Sequence, residues 1–84
     1  MNPVRKWRER LGLDRNEAAI ALGISESYLG SVERGVHKRL GKSFRSGLRR
    51  LGTDPDELDR LYQEWRSNET DRVSSSIKAK EESS

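Results

Sequence analysis

The sequence predicts an all-α domain of five short helices followed by a polar tail, and three observations carry that reading. Apolar residues recur at helical spacing, glycines interrupt the chain between the recurrences, and capping residues stand ahead of most of them. No stretch alternates apolar and polar residues between hairpin turns, so no strand is expected.

The elements follow in order. Asn2 and Pro3 suit a cap and a first helical residue, and Val4, Trp7 and Leu11 then share a face until Gly12. Asp14 opens a second segment, with Glu17 three residues on completing a capping-box pair. Ala18, Ala19, Ile20 and Leu22 follow, and Gly23 ends the helix after about two turns. Ser25 caps a third segment that turns Leu29 and Val32 inward and stops at Gly35. A basic loop holds His37, Lys38, Arg39 and Lys42. Phe44, Leu48 and Leu51 form a fourth stripe, closed by Gly52. Asp54-Pro55-Asp56-Glu57 sets a cap, a proline at the first helical position, and acids at the positive end of the helix dipole. Leu58, Leu61, Tyr62 and Trp65 then recur at i, i+3, i+4 and i+7. After Ser67 the composition turns serine-rich, with Val73 and Ile77 the only large apolar residues. The domain is therefore expected over 1–67 and a flexible polar tail over 68–84.

Composition narrows the function classes. A chain of 84 residues with 31% hydrophobic and 37% charged residues is lean in core material. Leu, Ile, Val and Phe number 17, too few to build both a core and a catalytic pocket, so no enzyme is expected. The absence of cysteine excludes disulfides, thiolate metal sites and cysteine nucleophiles. A lone histidine, His37, gives no metal cluster, and neither metal nor cofactor is expected. No apolar run approaches the roughly 20 residues that cross a bilayer, and no signal-peptide core is visible. The expectation is a cytoplasmic protein with no membrane partner. Residues 1–50 carry a net +7 and residues 51–84 a net −4, as when one face meets a polyanion.

The informative stretch is 15–35. Ala19 stands four residues before Gly23, Leu29 six residues after it, and Val32 three further on. Two helices crossing steeply need a small residue at the crossing, and their tight connection needs a left-handed residue, which glycine supplies. Leu29 and Val32 plug the second helix into the core. Its free side carries Glu26, Ser27, Gly30, Ser31 and Arg34, polar and slim enough for a groove about 12 Å wide.

The segment RNEAAIALGISESYLGSVERG resembles the helix-turn-helix of the lambda-repressor/Cro-like (XRE-type) family. The likeness runs from about Val4 to Trp65 and includes the RxRLGL approach and the LGTDPDEL run into the last helix. It implies a compact five-helix lambda-repressor-like domain, with the motif at helices 2–3. It further implies a transcriptional regulator, such as a repressor, encoded by a bacterium or phage. Its recognition helix, about Ser25 to Arg34, would enter the major groove of double-stranded DNA, as a twofold homodimer on a pseudo-palindromic operator. Arg15 stands where the family commonly has glutamine, and Glu26 where it often has an amide. Gly30 interrupts the recognition helix at a cost of about 0.5–1 kcal/mol relative to alanine.

By resemblance, Glu26, Ser27 and Ser31 map onto base-reading positions, although an acid at 26 also simply suits the helix dipole. Arg15 and Asn16 begin the first motif helix, where the family touches phosphate and sometimes a base. Tyr28 either sets its hydroxyl on a phosphate or packs its ring against the fourth helix. Arg34, Lys38, Arg39 and Lys42 are expected as phosphate contacts, with His37 as a further one. An Arg8–Glu33 ion pair is expected to tie the recognition helix to the first helix. Leu58, Leu61, Tyr62 and Trp65 either cover Trp7 and Leu11 or form a dimer interface, with Tyr62 or Trp65 expected to face a twin. The alternative to DNA is a protein-interaction module, an antitoxin or regulatory partner, with the C-terminal half as its docking side.

Overall fold

The computed structural model describes the backbone of residues 2–82 and the side chains of residues 2–69. Five helices follow one another: α1 (Pro3–Arg10), α2 (Arg15–Leu22), α3 (Glu26–Glu33), α4 (Lys42–Arg50) and α5 (Pro55–Glu82). No strand occurs among the described residues. The helix starts are chemical. Asn2 Oδ1 accepts from the Val4 amide at 2.8 Å, and Asp54 Oδ1 accepts from the Asp56 amide at 3.0 Å. Asp14 and Glu17 exchange side-chain bonds to each other's amides at 2.7 and 3.1 Å, a complete capping box. Ser25 Oγ accepts from the Tyr28 amide at 3.1 Å, so α3 starts where its cap dictates. Between α2 and α3, Gly23 adopts φ 72° and ψ 32°, a left-handed turn that a side chain would strain.

One core joins all five helices. It contains Val4 and Trp7 of α1, Ala18, Ala19 and Leu22 of α2, Leu29 and Val32 of α3, Phe44 and Leu48 of α4, and Leu58 and Tyr62 of α5, with Leu40 from the loop. α2 packs on both α3 and α4, while α5 packs on α1 and α4. The closest approach is at Gly47, in the middle of α4. A Cβ there would lie 2.4 Å from the Leu22 carbonyl oxygen, so the crossing of α4 over the end of α2 requires glycine.

The stripes differ from expectation at their ends. Leu11 and Leu51, expected inward, are 53% and 43% exposed. Each is the cap residue of its helix, where the chain is already leaving the helical path, and the stripe no longer continues. Ile20 is 72% exposed on the outer side of α2. Leu40, which no periodicity marks, is buried, and its amide donates to Asp59 at 2.9 Å. Helix α5 runs on to Glu82, through most of the stretch expected as a polar tail. The side chains of residues 70–82, and Met1, Ser83 and Ser84 altogether, lie outside the described residues.

Candidate nucleic-acid interface

Leu29 and Val32 are fully buried and anchor the inner side of α3. Its C-terminal end is held from two directions. Asn2 Nδ2 donates to the carbonyls of Val32 and Glu33 at 3.1 and 2.9 Å, and Arg66 Nε donates to the Gly35 carbonyl at 2.9 Å. Glu33, the last residue of α3, receives Arg8 at both carboxylate oxygens, at 3.0 and 3.2 Å. Arg8 also donates to the Leu13 carbonyl at 2.9 Å. With side chains only 12% and 6% exposed, the two partners expected to pair meet largely out of water. Arg15 Nε approaches the same carboxylate at 3.8 Å, its side chain half exposed.

Outward, α3 presents Glu26, Ser27 and Arg34 to solvent, and Asn16 is exposed on the first turn of α2. Ser31 is half-buried. Its hydroxyl donates to the Tyr28 carbonyl at 2.7 Å and lies 2.9 Å from His37 Nε2. A hydroxyl has one proton, so His37 Nε2–H is the donor in the second contact. Ser31 therefore has no proton left for a base, and His37 uses that nitrogen within the fold. Gly30, expected on the free side, is buried. Arg15 and Arg34 lie over it, with an added Cβ meeting Arg34 Nη1 at 3.4 Å and Arg15 Nη1 at 3.7 Å.

Of the two roles weighed for Tyr28, the structure shows the packing one. Its ring stands edge-on to His37 and Phe44, at centroid distances of 5.0 and 6.3 Å. Its hydroxyl accepts from the Gly41 amide at 3.0 Å and keeps its own proton to give. Beside it opens a shallow concavity lined by His37, Lys38, Arg39, Lys42, Ser46 and Arg49, with Arg45 at its wall and no carboxylate in the lining. Lys42 belongs to α4 as its first residue, not to the loop, because Gly41 serves as the cap. Arg45 is committed elsewhere, to Asp56 and, at 3.6 Å, to Asp59. Lys38, Arg39, Lys42 and Arg49 are exposed and carry no ion pair among the described residues. Ser46 and Arg49 were missed in the sequence. The signal was there, since 42, 46 and 49 fall on one side of a helix.

The expected dimer residues divide. Leu58 and Tyr62 are a correction: at 6% and 0% exposure they are core, packed inside the chain, and unavailable to a second copy. Tyr62 donates its hydroxyl proton to the His37 carbonyl at 2.7 Å. Burial pushes its phenol above the ordinary value, with the nearby Arg66 charge opposing. Leu61 is 37% exposed, and Trp65 is half-buried with its ring over Gly35. Among the described residues no group of three His, Cys, Asp or Glu could hold a metal ion, and no helix is long and apolar enough to cross a membrane.

Residues 4–61, which span α1 through the first turns of α5, match the family described as helix-turn-helix domain. The chain belongs to the helix-turn-helix domain family. Over 41 residues this helix-turn-helix chain is 42% identical to the HTH-type transcriptional regulator SlrR of Bacillus subtilis (strain 168). The matched stretch is 49% of this chain and 27% of that regulator, so the chain spans little more than a quarter of the relative's length. No solved structure matches it.

Proposed function

We propose that this helix-turn-helix chain is a DNA-binding regulator of transcription that lays α3 along the major groove of a double helix. One observation carries the reading. The polar outer edge of α3, with Arg15 and Arg34 over its middle at Gly30, is flanked by a concavity whose lining is cationic and free of acids. The concavity follows phosphates while the edge beside it reaches the bases. Lys38, Arg39, Lys42 and Arg49 then take backbone phosphates, joined by Asn16 at the start of α2 and by the Tyr28 hydroxyl. Glu26, Ser27 and Arg15 face base edges. Glu26 accepts from a cytosine amino group, and Ser31 contributes its oxygen only as an acceptor.

One motif of this size makes few base contacts, so two copies on a pseudo-palindromic operator supply the affinity. The surface for a twin is the outer side of α5 around Leu61. Binding of the full chain to random duplex DNA, followed by fluorescence anisotropy across a salt series, tests the reading. With four cationic phosphate contacts in each bound copy, the logarithm of affinity should fall with the logarithm of salt at a slope of about −4 per copy. Lys38→Ala should lower affinity evenly for all sequences and make that slope shallower by about one. Selection from a random pool should return a twofold-symmetric consensus. No attraction to duplexes in dilute buffer would overturn the proposal, and an affinity indifferent to salt would point to a protein partner instead.

A further inference from the structure

The middle of the reading edge is occupied by a side chain that α3 does not supply. Gly30 lies at the centre of α3 and, having no side chain, leaves a gap in the row formed by Ser27, Ser31 and Arg34. Arg15, from the first turn of α2, fills it. A Cβ at Gly30 would meet Arg15 Cδ at 3.8 Å and Arg15 Nη1 at 3.7 Å, and Arg34 Nη1 at 3.4 Å. The arginine thus lies across the α3 backbone. Its Nε lies 3.8 Å from the Glu33 carboxylate, which draws the guanidinium toward the C-terminal end of α3. That carboxylate already holds Arg8 with two bonds, so the Arg15 charge is only partly offset. The terminal nitrogens of Arg15 remain for a ligand, and its side chain is half exposed.

We infer that Gly30 is a saddle that carries Arg15 over α3, so that Arg15 reads a guanine in the central base pair of each half-site. This rests on the proposed major-groove reading and adds to it the base that Arg15 selects and the glycine that sets the arginine there. The planar fork of an arginine matches guanine O6 and N7 in the major groove, two acceptors side by side. A phosphate role fits less well, because Arg15 sits over the middle of the reading edge while the unpaired cations of the concavity lie to one side. Glu33 acts here as a positioning residue: it touches no base, and it orients the arginine that does.

The test is selection from random duplex DNA with the full chain, followed by affinity measurements on the selected site and on a version with that one pair changed. The native chain should return a fixed guanine in each half-site. Arg15→Ala should lose that preference alone, with a drop of about tenfold on the selected site and little change on the altered one. Arg15→Lys keeps the charge but not the planar fork, so the salt slope should hold while the preference weakens. Gly30→Leu adds a good helix former whose branches collide with Arg15, and should remove the same preference at the same pair. Gly30→Ala should fall between, since a Cβ alone makes ordinary contact at these distances. Helicity by circular dichroism separates displacement of Arg15 from loss of fold. Two results sink the inference while leaving DNA binding intact: an even loss on all sequences in Arg15→Ala, or an unchanged guanine preference in a folded Gly30→Leu. Absence of any duplex binding by the native chain overturns the proposed function itself.

Discussion

Glu33 is the residue on which most of the site converges. Its carboxylate takes both bonds from Arg8 and orients Arg15, and its backbone carbonyl takes the Asn2 amide. Because the Arg8–Glu33 pair is largely out of water, removing one charge strands the other. Glu33→Gln should lower stability by about 2–4 kcal/mol in urea denaturation and weaken DNA binding along with it. An unchanged midpoint would mean the pair contributes nothing to the fold. Tyr62 makes a second prediction. Its phenol is pushed above 10.0 by burial, so the folded state holds the proton more tightly than the unfolded chain does. The associated stability is complete below about pH 10 and is lost as pH rises through the higher folded value. The thermal midpoint should fall on alkaline titration, and fall less in Tyr62→Phe. That variant should start about 1 kcal/mol lower, because the His37 carbonyl loses its donor.

At the scale of elements, the α2–α4 crossing is the most demanding contact. Alanine at 47 improves helix propensity but sets a methyl group 2.4 Å from the Leu22 carbonyl oxygen. Gly47→Ala should therefore destabilise by about 1–3 kcal/mol, as overpacking does, and calorimetry would show whether propensity or crowding prevails. This crossing also marks what was legible in the sequence. Caps, glycine stops and the Leu29 and Val32 anchors are local signals, and they placed all five helices. Gly47 looks like an ordinary interruption until a second helix is laid against it. Leu40 carries no periodic neighbour and was missed, whereas Leu11 and Leu51 fit a period that ends one residue too soon. Arg8 and Glu33 were paired only through the family likeness, since nothing in their spacing brings residues 25 apart together. Gly30 was assigned to solvent because a helical wheel shows only its own helix, and its cover comes from α2.

For the molecule as a whole, the basic and acidic halves of the sequence meet at the start of α5. The basic half supplies the cations around α3, while Asp56 and Asp59 at the start of α5 pair with Arg45 at the wall of the concavity. What sequence could not show is how firmly α3 is seated. Ser25 fixes its first turn, and Asn2, Arg8 and Arg66 secure its last, drawing on α1 and α5. A helix fastened at both ends is held in one shape before any ligand meets it. Little conformational entropy should then be surrendered on association. The amides of Leu29 to Glu33 should accordingly exchange with solvent deuterium as slowly in the free protein as in a duplex complex. A marked slowing on adding DNA would show instead that α3 becomes rigid only on contact.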